Sequence, residues 1–305
     1  MEFIRPDINI DFVGKTKIAV AVSAAMIIVS ILSLIFHGGL NLGIDFAGGT
    51  LVQIKFQKQR NVEEIRTVLT SVQLEGSQIQ KFGSDQEFLI KTERSSEELE
   101  GLSETISKAM TAAFGPDSFE MRRVEVVGPK VGADLRQKGF LAILYAMAGI
   151  LVYITWRFQL RYAVGAVIAL IHDVTITVGI FSLLNKEFTL PIIAALLTII
   201  GYSLNDTIVV YDRIRENARG MAARRQGMAS IINNSVNQTL SRTLLTSGTT
   251  LLVVIALFFL GGAVIHDFAF ALLVGIVVGT YSSIYIASPV VLAWETVKPA
   301  KKRGK

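Results

Sequence analysis

The chain has 305 residues, of which 51% are hydrophobic and none is cysteine, and its formal net charge is +5. Disulfides and thiolate metal sites are therefore excluded, and the basic residues sit at the ends of apolar runs, which argues against a nucleic-acid partner. The apolar residues form long blocks, and most of the charge lies between residues 53 and 138 and in short loops, so a membrane protein with one sizeable extramembrane domain is expected.

Residues 1–17 carry Arg5, Lys15 and Lys17 and precede an uncharged run, Ile18 to Phe36. The run is of span length, and no small-x-small cleavage site follows it before His37. An uncleaved first span over 18–36 is expected, entering from a cytoplasmic N-terminus of residues 1–17. Gly14-Lys15-Thr16 looks like the tail of a phosphate-binding loop, but Asn9 stands where that motif needs glycine. Nucleotide binding is not expected there.

The glycine-rich stretch Gly43-Ile-Asp-Phe-Ala-Gly-Gly-Thr50 reads as a turn ahead of a strand, Leu51–Phe56. Helical spacing follows over Val62–Val72. Two short strands, Gln78–Phe82 and Glu87–Thr92, are joined by a turn at Gly83-Ser84-Asp85. Ser95-Ser96-Glu97-Glu98 offers a helix start whose apolar face runs through Leu99, Leu102, Ile106 and Met110 to Phe114. Gly115-Pro116-Asp117 ends it, and Phe119–Val127 is the last strand. This β-α-β-β-α-β order is that of the ferredoxin-like fold, placed in residues 38–138. No His or paired-acid cluster there suggests chemistry, a metal or a cofactor, so its charges form a solvated face or a protein-docking surface.

The second and third spans are Gly139–Trp156 and Tyr162–Leu184, with Arg157 and Arg161 at the turn between them. His172 and Asp173 lie within the third, close to the midplane, where a relay and a structural hydrogen-bonded pair are both open. The fourth span is Leu190–Tyr211, and a basic loop, 212–239, follows it. Met228–Leu240 within that loop is helix-compatible and lies along the membrane surface or packs under the bundle. Thr239–Leu260 and Phe268–Trp294 are the fifth and sixth spans, and Gly275 and Gly279 allow close packing of the sixth. A basic tail, 295–305, ends the sequence. The expected fold is an α-helical polytopic membrane protein with six transmembrane helices, a five-helix bundle over 139–294 included, plus one external α+β ferredoxin-like (βαββαβ) domain. With six spans all the basic segments fall on one side, which puts both termini in the cytoplasm and residues 38–138 outside.

Asp206 sits inside the apolar run of the fourth span, on the order of 8 Å from its charged end. A carboxylate at that depth costs about 2.5–3.5 kcal/mol on insertion scales and marks a proton or ion path, the other reading being a structural carboxylate bonded to a neighbouring helix. Tyr202 shares its stripe, and Asn205 precedes it. On the fifth span Arg242, Thr246, Thr249 and Thr250 follow i, i+4, i+7, i+8, as a helix lining a polar seam would. Asp206 and Arg242 are expected to pair, so that withdrawal of the guanidinium would let the carboxylate take a proton.

Three stretches carry a family resemblance: Gly43–Thr50, Gly201–Asn217 and Ser241-Arg-Thr-Leu-Leu-Thr-Ser-Gly-Thr-Thr250. They resemble the SecF family of the resistance-nodulation-division superfamily, and the resemblance covers nearly the whole chain. It implies a subunit of the bacterial inner membrane that uses proton motive force with SecD to assist late protein export. It implies Asp206 and Arg242 as proton-path residues, and His172 and Asp173 also fit the family pattern, with relay and structural roles both open. Implied partners are SecD, the SecYEG translocon, YajC and YidC, the translocating polypeptide and membrane lipid, and no enzymatic activity or cofactor is implied. Two rivals remain. An intramembrane aspartyl protease would need Asp173 and Asp206 in contact, where helical rise separates them by about 9 Å. A proton-driven exporter of small molecules or lipids from the same superfamily would need a substrate cavity and usually a larger external domain.

Overall fold

A computed structural model describes residues 9–92, 101–219 and 227–297. Among these residues six helical segments are long and apolar enough to cross a membrane. They are α1 (Thr16–Phe36), α5 (Pro129–Arg157), α6 (Leu160–Leu183), α7 (Leu190–Arg219), α8 (Met228–Leu260) and a composite Ala263–Glu295 segment. The last is built from α9 (Ala263–Ser282), a π-helical turn (Ser283–Ala287) and α10 (Ser288–Val297). The protein is a multi-pass membrane protein with one small sheet domain between α1 and α5.

The helices outrun the apolar stretches that predict them. α5 starts at Pro129, with proline at its first position, ten residues before the expected span. α7 continues to Arg219, and α8 starts at Met228. Met228–Leu240 is therefore the first half of one continuous helix and packs under the bundle: Ile231, Ile232, Ser235, Val236, Thr239 and Leu240 form its buried face. Asp267, expected in a loop, lies in the second turn of α9. In each case helix-compatible polar residues extend the backbone pattern past the point where the bilayer requires apolar side chains.

The sheet domain holds β1 (Gly49–Phe56), α3 (Val62–Ser71), β2 (Gln78–Phe82), β3 (Ser84–Thr92), α4 (Leu102–Phe114) and β4 (Phe119–Val127). Its strands run β2-β3-β1-β4, and every adjacent pair is antiparallel. This is the ferredoxin-like arrangement. Period-two alternation points Val52, Ile54 and Phe56 of β1 to one face, where they meet Ile65 and Leu69 of α3 and Ile106 and Met110 of α4. Burying side chains of this size stabilises the domain by about 1.5–3 kcal/mol each. The hairpin is tighter than expected: Phe82 pairs with Ser84, and Gly83 alone makes the turn with φ +71°. The expected helix start at Ser95–Glu98 lies outside the described residues. A short helix, α2 (Ile44–Ala47), occupies the glycine-rich stretch and precedes β1.

In lipid no hydrophobic force draws helices together, so close approach depends on small residues. Gly275 and Gly279 of α9 abut Ile199 and Ser203 of α7, and a Cβ on Gly279 would stand 2.9 Å from that of Ser203. Gly179 of α6 faces Ser30 of α1 in the same way. Two apolar clusters result. One, nearer the sheet domain, gathers Phe181, Ile192, Leu196, Ile199, Val254, Leu272 and Ile276. The other, toward the far end, gathers Phe12, Tyr162, Val210, Tyr211, Val236, Leu240 and Ile284.

Candidate functional site

Between the two apolar clusters every inner helix carries polar side chains. His172 and Asp173 interrupt α6; Ser203, Asp206 and Thr207 interrupt α7; Thr243 and Ser247 interrupt α8; Thr280 and Ser282 interrupt the end of α9. On α7 the spacing i, i+3, i+4 puts Ser203, Asp206 and Thr207 on the stripe that Ile199 and Val210 continue on either side. The result is a polar layer closed above and below by packed apolar side chains.

Asp173 is fully buried and is the hub of three helices. Its Oδ2 accepts the hydroxyl of Ser203 at 2.6 Å and that of Ser282 at 2.8 Å. Its Oδ1 lies 2.9 Å from Nδ1 of His172. The other ring nitrogen of His172, Nε2, is buried without a hydrogen-bond partner. The ring stacks on Tyr281 at 6.1 Å, and the Tyr281 hydroxyl donates to the carbonyl of Ala19 at 2.7 Å and meets Ser23 at 3.0 Å. The layer thus reaches α1.

Asp206, also buried, accepts the Ser247 hydroxyl of α8 at 3.1 Å. Ser247 lies 2.8 Å from the Thr280 hydroxyl, which donates to the Ile276 carbonyl at 2.8 Å. The two carboxylates have separate hydroxyl partners and are not hydrogen-bonded to each other. They are nevertheless one turn apart in register, because Ser203, the partner of Asp173, precedes Asp206 by three residues.

Beside the layer, the backbone departs from the α-helix. The π-helical turn Ser283–Ala287 follows Ser282 directly, and Ser288 donates to the Ser283 carbonyl at 3.0 Å. The Tyr211 hydroxyl donates to the Ala287 carbonyl at 3.1 Å. Single π turns inside α-helices concentrate at functional sites, where they re-aim side chains. Here the turn starts at the layer and runs into the far apolar cluster, to which Ile284, Ile286 and Ala287 belong.

Arg242 and its threonines lie elsewhere. Arg242 is exposed on the outer side of α8, and no ion pair joins it to Asp206 among the described residues. The inward stripe of α8 is Thr239, Thr243 and Ser247, one residue out of phase with Arg242 and Thr246. The hydroxyls of Thr246, Thr249 and Thr250 bond back to carbonyls of their own helix, at Arg242, Leu245 and Thr246. Asn205 is exposed, and Tyr202 is half-buried with an unpartnered hydroxyl. Ser203, Ser247, Thr280, Tyr281 and Ser282 were not singled out from the sequence. The available signal was a hydroxyl three residues before Asp206 and the polar run Thr280–Ser283 in an apolar span.

Comparison with known proteins identifies this arrangement. Residues 106–297 match the family described as protein export membrane protein SecD/SecF, C-terminal, and residues 33–59 match the SecD/SecF GG motif. The chain is 52% identical to the protein translocase subunit SecF of Desulfurispirillum indicum, over 93% of this chain and 91% of that protein. It is 48% identical to that of Calditerrivibrio nitroreducens, over 99% of each. Among solved structures it resembles SecDF, a translocon-associated membrane protein from Thermus thermophilus, with TM-score 0.82 and 40% identity over 96% of this chain. The chain spans 40% of the length of that protein. A second SecDF structure, in a super-membrane-facing form, gives TM-score 0.69 at the same identity, covering 97% of this chain and 40% of that one.

Proposed function

The chain belongs to the SecF branch of the SecD/SecF family of protein export membrane proteins, and from that premise we propose that it uses proton motive force, with SecD, to assist the late stage of protein export. Asp206 is the proton acceptor, and the polar layer around it is the site of the switch. The observation that carries this reading is a count of protons. Ser247 and Thr280 make three hydrogen bonds, to Asp206, to each other and to the Ile276 carbonyl, but own only two hydroxyl protons. A proton on Asp206 supplies the third, and the chain then runs complete from carboxyl to carbonyl. Asp173 differs in its place: it accepts the Ser203 and Ser282 hydroxyls and lies beside the His172 ring, so it ties α6, α7 and α9 together. Ser282 also reaches the Gly279 carbonyl at 3.1 Å, and Asp206 alone of the two carboxylates faces α8.

Proton uptake by Asp206 therefore reverses the Ser247–Asp206 donor direction and removes a charge that Arg242 attracts. Both changes bear on the contact between α7 and α8. One charge crossing 100 mV supplies about 2.3 kcal/mol, enough to shift a two-state equilibrium substantially. The apolar clusters on either side are the natural gates, since a proton reaches the layer only when one of them admits water.

Arg242, Thr249 and Asn205 are exposed at or near lipid depth, with Thr198 on the same outer face of α7 as Asn205. An arginine and an amide there call for a polar partner surface instead of acyl chains. The transmembrane helices of SecD supply it in this reading, with SecYEG, YajC and YidC as further contacts and the translocating polypeptide as the client. Arg157, Arg161, Arg213, Arg215 and Arg219 all lie at the end far from the sheet domain, which supports cytoplasmic termini and a periplasmic sheet domain in the inner membrane. The subunit is non-enzymatic on this account: the shared proton of an aspartyl protease needs contact between carboxylates that here bind separate hydroxyls.

The test is pulse–chase export of a secreted protein with and without a protonophore. Asp206→Asn keeps the shape and deletes the titratable group. It should insert and accumulate normally while its export rate drops to the protonophore-treated wild-type level. An Asp206→Asn strain that still responds to the gradient would refute the assignment.

A further inference from the structure

The amide of Leu190, the first residue of α7, donates to Oδ2 of Asp45 at 2.8 Å. The cap therefore comes from another domain, 145 residues away in sequence. It satisfies one of the amides that a helix start leaves open, and it places a negative charge at the positive end of the helix dipole. The turn carrying Asp45 is fixed to the α6–α7 loop by backbone bonds. Gly43 N–H donates to the Phe188 carbonyl at 2.9 Å, and Phe188 N–H donates to the Asn41 carbonyl at 2.7 Å. The rings of Phe46 and Phe188 pack at 6.0 Å, and Gly132 of α5 closes over the Phe46 carbonyl, where a Cβ would come within 2.8 Å.

On the other side the same turn is fixed to the sheet. Lys91 of β3, only 5% exposed, donates to the Leu42 carbonyl at 3.0 Å and lies 3.5 Å from Glu187 of the loop. Gly48 and Gly49, at φ +82° and +126°, run from α2 straight into β1. No slack segment separates the sheet from the start of α7. From that start Asp206 is sixteen residues, or about 24 Å, along one helix.

We propose that Asp45 and the turn 41–48 form a rigid joint that delivers the movement of α7 to the sheet domain, so that Asp45 is a positioning residue for coupling. The proposal rests on the proton-driven reading of Asp206. In it, α7, the loop and the sheet move as one body, and the flexing takes place between α7 and its neighbours in the polar layer.

The experiment uses the full chain with SecD and the translocon in membrane vesicles, reading both gradient-stimulated export and dye-reported proton uptake. Asp45→Ala should cut the gradient-stimulated part of export about fivefold, the factor lost with a helix cap of average strength, while proton uptake persists. Asp45→Asn, an equally good cap, should retain both. Unchanged export in Asp45→Ala would overturn the joint, and so would export and uptake falling in parallel, which marks a general folding defect. Absence of Asp206-dependent uptake in the unaltered protein would instead overturn the proton reading beneath it. A second arm is independent of that reading. The chain has no cysteine, so Leu42→Cys with Phe188→Cys, opposed across the bridge, can be closed cleanly by oxidation. Export should continue with the disulfide closed, and a block relieved by reductant would show a hinge where the proposal needs a rigid joint.

Discussion

Ser247 is the side chain on which the behaviour of Asp206 turns, because it is the carboxylate's hydrogen-bond donor on α8. Ser247→Ala removes that bond and breaks the path to Thr280. A hydrogen bond to a charged group is worth about 1.5–3 kcal/mol, so gradient-dependent export should fall on the order of tenfold, with recovery in Ser247→Thr. Pulse–chase rates with and without protonophore would read this, and an unaltered rate in Ser247→Ala would remove Ser247 from the switch. Asp206 itself was legible in the sequence, since a lone acid inside an apolar run stands out against the cost of burying it. Ser203, Ser247 and Ser282 were not, because hydroxyls in membrane helices ordinarily bond to their own backbone and carry no distinguishing pattern. Arg242 was legible as a charge but not as an outward one. Its spacing with Thr246 and Thr250 gives a regular stripe, and periodicity alone does not say which side of a helix faces the bundle.

At the scale of elements, the approach of α9 to α7 sets the geometry of the layer. Gly275 and Gly279 bring the helices close enough for Ser282 to reach Asp173 beside Ser203. Gly275→Leu drives a side chain into Ile199 and should destabilise the bundle by about 1–3 kcal/mol, the usual range for overpacking. Gly149→Leu on α5, where nothing lies within 4 Å, is the control and should leave thermal stability in detergent unchanged. Equal melting temperatures for the two variants would contradict the packing described for α7 and α9. The small-residue spacing made this contact visible beforehand, whereas helix ends were misjudged for a physical reason. Hydropathy reports the thickness of lipid, but α5, α7 and α8 extend beyond lipid on residues that form helix equally well in water. The π-helical turn left no such signal, because Ser283–Ala287 carries neither proline nor glycine to mark a break, and its contact with the Tyr211 hydroxyl is made only in the finished fold.

For the whole molecule, six spans and a ferredoxin-like sheet followed from pattern alone, since apolar blocks and period-two alternation are local properties. The way the sheet is tied to α7 did not, because Asp45, Lys91, Phe188 and Leu190 are brought together only by the finished fold. The proposed account joins a polar layer between two apolar clusters, a carboxyl that takes up a proton to complete a hydrogen-bonded chain, and a rigid connection from that helix to the sheet domain. Its central claim is that protons pass by way of Asp206. The direct measurement is dye-reported proton uptake into sealed vesicles holding this chain with SecD, under an imposed gradient, for the unaltered protein and for Asp206→Asn. The account predicts uptake that disappears in Asp206→Asn at equal protein content; uptake persisting at the unaltered rate would contradict it.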